Sequence, residues 1–303
     1  MKGELCRALT SDRLELQGLF VVPEGGVCDT SVIHVHGLAG NFYENRFIDY
    51  VADAVAAQGI NFLTINTRGR DYVSDFFFER EDGITEYKQI GGVYELFEES
   101  VEDISAWVGF LKSRGSKRII LQGHSHGALK VTYYVHNVDE PAITGLILLS
   151  PSDDFGCQRE RLGERFDEAL AVAGMMIKEG RGTDLMPSEY FHYPVSAITY
   201  SSIFNENSSL KMFNLSGTDR DHLVELRSIK LPTLVILGSV NEEFVGGSGA
   251  YLSDLRAQLE NAISFKGHVI EGAPHNYLHF EPQVARHIGE WLASNFRGQE
   301  ATI

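Results

Sequence analysis

Cysteine is scarce in this chain. Cys6, Cys28 and Cys157 are the only three. They lie far apart, are odd in number and form no Cys-x-x-Cys pair, which argues against a disulfide framework and against a structural zinc site. Long apolar runs are missing as well. None approaches the roughly 18 residues that a membrane-spanning helix needs, and the opening Met-Lys-Gly-Glu-Leu-Cys-Arg has no apolar h-region. The expectation is a cytoplasmic, reduced protein. Basic charge is in deficit, with 26 Lys and Arg against 42 Asp and Glu, a formal net charge of −16. An acidic surface repels phosphate backbones and anionic lipid, so neither nucleic acid nor a membrane is an expected partner. Its plain role is solubility. Internal repeats, low-complexity tracts and a Pro/Ser-rich linker are also absent. The 303 residues therefore read as one large α/β domain carrying an insertion rather than as two tethered domains.

Glycine, by contrast, is plentiful: the 30 glycines suit a fold with many tight strand-to-helix turns. Residues 4–21 alternate about a turn at Ser11-Asp12, the pattern of a β-hairpin. Residues 31–36 form a short β-branched run ending at Gly37, as a buried parallel strand does. An amphipathic helix follows at 45–58, with Phe47, Ile48, Val51, Ala52 and Val55 on one face and Gly59 as its stop. The unit then repeats: strand 60–66, loop 67–93, helix 95–113, strand 118–122, helix 126–137, strand 143–150. Strands alternating with helices imply crossover units and a parallel sheet. The rhythm breaks over 152–228, which has helical patterns near 158–179 and 195–204 but no convincing buried strand. It resumes with strand 233–237, helix 247–260, strand 263–270 and helix 282–296. The expected architecture is α/β, a doubly wound and mostly parallel sheet. A core over 1–151 and 229–303 is interrupted by a helical lid insertion at 152–228.

The chemistry-bearing motif is Leu-Gln-Gly-His-Ser-His-Gly at 121–127. Gly123, Ser125 and Gly127 make a G-x-S-x-G nucleophile elbow, and the spacing has a steric cause. In a strained strand-to-helix turn, the residues two before and two after the serine come too close for a β-carbon. The turn lifts the hydroxyl out of the sheet toward helix N-terminal amides. Here the motif follows the apolar Ile119-Ile120-Leu121 and opens a helix with Ala128, Leu129, Val131 and Tyr134, the context it requires. Ser125 is the candidate nucleophile. It needs a base, and the late loop Gly272-Ala273-Pro274-His275-Asn276 offers His275. His279 is the nearby rival. His268 lies at or in a strand and His287 in a helix, so both are poorly placed. The acid is open. The usual Gly-x-x-Asp after the 233–237 strand reads Gly238-Ser239-Val240-Asn241, with Asn241 at the aspartate position and Glu242 next. A neutral amide stabilises an imidazolium poorly. Glu242 ranks first, then Asp153 or Asp154 after the preceding strand, then Asn241. An oxyanion hole needs two backbone N–H groups: His126, after the nucleophile, and Leu38 in the loop His36-Gly37-Leu38-Ala39-Gly40-Asn41.

His34 and His36, and His124 and His126, form two i, i+2 pairs expected to meet at one sheet edge. They raise the alternative of a metal-dependent hydrolase. Packing and hydrogen bonding around the site is the plainer role, and no metal is assigned.

Together His36-Gly37, Gly123-His124-Ser125-His126-Gly127, Leu237-Gly238 and His275 resemble the α/β-hydrolase superfamily over nearly the whole chain. Asn41-Phe42-Tyr43, Gly127-Ala128-Leu129-Lys130-Val131 and Leu148-Leu149-Ser150-Pro151-Ser152-Asp153 resemble, within it, a little-described branch that includes fungal siderophore-releasing esterases. The resemblance implies ester hydrolysis without a cofactor. The expected partner is a small-molecule ester-like substrate, and the residues do not choose among ester, lactone, thioester and amide. Aromatics of the insertion, among them Phe155, Tyr190, Phe191, Tyr193 and Phe213, mostly suit its own core. A few facing the cleft favour a substrate with an apolar or aromatic part. A non-catalytic ligand receptor on the same fold is the remaining alternative. A dehalogenase is disfavoured, since its elbow would carry aspartate where Ser125 stands.

Overall fold

The computed structural model describes residues 2–217 and 223–296. The 4–21 hairpin forms as Glu4–Leu9 (β1) and Glu15–Val21 (β2). Thr30–Val35 (β3), Phe47–Ala56 (α1) and Asn61–Ile65 (β4) follow. The stretch 67–93, expected to be a loop, holds a second hairpin, Ser74–Glu79 (β5) and Thr85–Ile90 (β6), apart from the main sheet. Its turn runs through Asp82-Gly83 with Gly83 at φ +79°, a hairpin signal. Both strands are largely exposed, and of the first only Phe76 is fully buried. Such strands lack the apolar alternation by which strands are read.

The chain continues with Ser100–Ser113 (α2), Arg118–His124 (β7), His126–Asn137 (α3) and Ile143–Leu149 (β8). The expected helix at 158–179 is two helices, Asp154–Leu162 (α4) and Arg165–Lys178 (α5), parted at Gly163, whose φ is +54°. Ala197–Phe204 (α6) and Val224–Ser228 (α7) complete this helical stretch. Thr233–Val240 (β9), Ser248–Gln258 (α8), Phe265–Pro274 (β10) and Glu281–Phe296 (α9) close the fold.

The main sheet has eight strands in the order β1-β2-β4-β3-β7-β8-β9-β10, with every pairing from β4 through β10 parallel. Alternate side chains supply two cores, as strand geometry dictates. Val32, Ile120 and Ile147 face α1 and α9, whereas Ile33, Leu121 and Leu148 face the other side, where α2, α3 and the helices after β8 pack. Parallel strands bring their C-terminal ends to one edge, where sites on open α/β sheets form. No described helix is long and apolar enough to cross a membrane, and all three cysteines are free.

Candidate active site

β7 runs straight into the elbow. Ser125 has φ 56° and ψ −129°, an orientation costly for a residue with a side chain. Its N–H is anchored on the Leu149 carbonyl at 2.9 Å, and its carbonyl accepts from Ala128 N at 2.8 Å. The glycines are required by contact: a β-carbon on Gly123 would strike the Gly127 carbonyl, and one on Gly127 would strike the carbonyls of Val35 and His36.

The two parallel strands beyond β8 deliver the partners. β10 ends beside His275 and β9 leads to Glu242. His275 Nδ1 donates to Glu242 Oε2 at 2.7 Å, with the Glu242 side chain 3% exposed. The other oxygen, Oε1, accepts from Gly238 N and from Ser150 Oγ, the latter at 2.7 Å. Asn241, at the usual aspartate position, is exposed and left-handed at φ +52°. Asparagine tolerates that conformation. The tight turn it makes sends the following side chain back over Gly238, where a β-carbon would collide with the Ala273 carbonyl and Glu242 Oε1. A glutamate one position late thus reaches the imidazole that an aspartate would otherwise meet.

The other acid candidates are engaged elsewhere. Asp153 is buried and caps α4, accepting from Gly156 N at 2.7 Å and from Ser216 Oγ at 3.0 Å. Burial pushes its carboxyl up to about 6. Asp154 Oδ2 accepts from His126 Nδ1 at 2.8 Å. Of the rival bases, His279 sits exposed in a left-handed turn at φ +72°. His268 and His287 stack on each other, ring centroids 3.9 Å apart, on β10 and α9.

Leu38 and Ser125 line the same cleft. Gly40 N donates to the Gly37 carbonyl at 3.2 Å, folding the 37–40 loop into a turn. His36 braces it from below. Its Nε2 accepts from Thr67 N at 3.1 Å, so its proton is on Nδ1, which donates to the Gly37 carbonyl at 2.8 Å. Burial, then nearby Lys130, pushes the His36 imidazole down to about 4. Lys130, wholly buried, reaches Glu95 at 2.5 Å and Thr67 Oγ1 at 3.2 Å, tying α3 to this brace.

The four histidines considered as metal ligands each serve a different partner. Gln122 Nε2 donates to His34 Nδ1 at 2.8 Å, and the ring packs against Phe47 and Phe62. Burial pushes it down to about 3. His124 Nε2 donates to the His275 carbonyl at 2.9 Å, and burial lowers this imidazole well below its usual range. His36 and His126 are engaged as above. Among the described residues, no group of three or more His, Cys, Asp or Glu side chains is arranged to hold a metal ion.

The cleft has a volume of about 340 Å³ and brings together Leu38, Ser125, His275, Asp154, Phe191 and Tyr193. The last three come from the segment between β8 and β9. The aromatics Phe155, Tyr200, Phe204 and Phe213 of that segment are buried core instead. The sequence reading did not single out Ser150 or Tyr277. Neither bears a charge, and only the three-dimensional meeting of β8, β9 and the loop after β10 makes them neighbours of Glu242.

Solved structures share this arrangement of sheet and helices. A siderophore hydrolase from Aspergillus fumigatus superposes with a TM-score of 0.72 at 15% identity, covering 98% of this chain and 99% of that one. Est1E from Butyrivibrio proteoclasticus, with ferulic acid bound, gives 0.67 at 19% identity over 97% and 100%. An esterase from Pyrococcus furiosus gives 0.63 at 19% identity over 98% and 92%. At these identities the likeness carries the fold, which is that of the α/β-hydrolases. No curated protein matches the chain. One family does match, over residues 91–293, a span that includes Ser125, Glu242 and His275. The chain thus has the α/β-hydrolase fold and belongs to the family described as Protein of unknown function (DUF1749).

Proposed function

We propose that this protein is a serine hydrolase that cleaves a carboxylic ester through an acyl-enzyme on Ser125. The supporting observation is the 2.7 Å contact between buried Glu242 and His275 Nδ1, in a cleft that also exposes the strained Ser125. With Nδ1 committed to Glu242, His275 has Nε2 left as proton acceptor. Ser125 Oγ attacks the carbonyl carbon while its proton passes to Nε2. The N–H groups of Leu38 and His126 carry the oxyanion. On collapse, the C–O bond to the alcohol breaks and His275 returns the proton to the departing oxygen. Water then attacks the acyl carbon, giving its proton to His275, and the acid leaves as Ser125 is reprotonated. No cofactor is called for, and lactones and thioesters undergo the same chemistry.

The stretch 152–228 serves as a cap on the cleft. Phe191 and Tyr193 on its cleft side favour a substrate with an apolar or aromatic part. The test is labelling by a fluorophosphonate probe together with turnover of esters of graded acyl size. Ser125→Ala is expected to lose the label and to lower kcat by roughly a million-fold, with an unchanged circular dichroism spectrum. Undiminished esterase activity in that variant would refute the reading. Tight ligand binding with no turnover by the wild type would instead point to a receptor.

A further inference from the structure

Resting on the hydrolase reading, we infer that Ser150 and Tyr277 are positioning residues for the reaction, holding the Glu242 carboxylate in the one orientation that serves His275. Ser150 stands one residue past β8, wholly buried and left-handed at φ +40°. That backbone turn places its Oγ 2.7 Å from Glu242 Oε1 and 2.7 Å from the Tyr277 phenol oxygen. Tyr277, also wholly buried and left-handed at φ +55°, lies 2.8 Å from the Ile236 carbonyl of β9. A row of close oxygen contacts therefore runs from the Ile236 carbonyl through two hydroxyls to Oε1, and Oε2 meets His275.

Proton counting fixes its direction at the Glu242 end. Two hydroxyls supply two protons for three gaps. An ionised carboxylate is a stronger acceptor than a phenol oxygen, so the Ser150 proton goes to Glu242. The Tyr277 proton is left for Ile236 or Ser150. Gly238 N supplies the second donor to Oε1, leaving Oε2 for the imidazole.

The row answers a problem that a glutamate brings. A glutamate has one more rotatable bond than the aspartate usual in this place, and each free torsion is entropy lost whenever the side chain must be aligned. Two donors on one oxygen remove that freedom. The end of β8, which sequence reading held as an alternative source of the acid through Asp153 and Asp154, instead contributes the hydroxyl that fixes the acid.

The test uses the full chain and two independent readouts. The first is the split between kcat and KM on a small ester. The second is the downfield proton resonance of the His275 Nδ1–H, read without turnover. Ser150→Ala and Tyr277→Phe, the latter keeping the ring, are expected to lower kcat, the former by roughly tenfold, the value of one charge-assisted hydrogen bond. KM should hold, and both changes should move the resonance, which Glu242→Gln should abolish. In the Glu242→Gln background, Ser150→Ala should add no further loss. A resonance that stays in place in both variants, or a Ser150→Ala loss that persists undiminished without Glu242, would overturn the inference. Failure of the hydrolase reading shows separately, as activity that survives Ser125→Ala while the resonance still responds to Ser150.

Discussion

Asn241 and Glu242 show how a single backbone angle decides which residue meets His275. Asn241 occupies the position where aspartate is usual, yet its left-handed conformation turns it to solvent and leaves the contact to Glu242, the residue ranked first from sequence. Asn241→Gly should keep both activity and melting temperature. Asn241→Ala should cost ~1 kcal/mol of stability, the penalty of a β-carbon in that region, with kcat/KM held within about twofold by the same account. Glu242→Gln, in contrast, should cut kcat roughly 10³–10⁴-fold, the effect of losing the charge behind the imidazole. Steady-state kinetics and thermal melts on the three variants separate these outcomes. Ser125 carries a comparable strain: relieving it with Ser125→Gly should give an inactive protein that unfolds at higher urea, by ~1 kcal/mol. At this scale the strained turn at Ser125 and the late loop carrying His275 were legible because their motifs have fixed spacing. Glu242 could be ranked ahead of Asp153, Asp154 and Asn241 but not singled out, because a φ angle has no letter in the sequence.

Elements explain the two places where pattern reading went astray. The β5–β6 hairpin fully buries only Phe76 and Ile90, too few to impose a period. The break between α4 and α5 rests on Gly163, a residue that helices otherwise tolerate at modest cost. The start of α4 is set by Asp153, whose carboxylate caps it. Asp153→Ala should destabilise the protein by ~1–2 kcal/mol while sparing the acyl transfer step seen in a burst assay. Asp153 also predicts a pH effect. Burial raises its carboxyl from the usual 3.8 to about 6, so the folded state keeps a proton that the unfolded chain releases. Its contribution is full below pH ~4 and is lost as pH rises through ~6. Asp153→Asn should flatten the melting temperature over that window. Farther down α3, Lys130→Met would leave Glu95 buried without its cation, a loss of ~3–5 kcal/mol by urea denaturation. Lys130→Met with Glu95→Leu should cost much less than the sum of the single changes.

At the scale of the molecule, three buried imidazoles pushed down by burial oppose two buried carboxyls pushed up by it among the described residues. His34 and His36 are held down to about 3 and 4, and His124 lies well below its usual range, each chiefly by burial. Stability from keeping them neutral is full above pH ~6.5 and drains away as pH falls toward those values. Asp153 and Asp103, the latter also raised to about 6 by burial, act in the opposite sense but are fewer. The melting temperature should therefore fall between pH 6.5 and 4, and His34→Leu should shallow that slope. The alternating strands and helices were legible from periodicity, and the fold followed from their order. What the order could not convey is that the helices after β8 share one hydrophobic core with α2, α3 and one face of the sheet: Phe155, Phe204 and Phe213 join Leu121, Leu129 and Leu148 in a single buried cluster. That continuity makes the segment a poor cassette. Grafting 152–228 onto another scaffold would strand its aromatics without their partners on α3, and excising it here would wet the helix that carries the elbow. Redesign of what the cleft accepts is thus a matter of exchanging single side chains such as Phe191 and Tyr193, in place, rather than of swapping the segment whole.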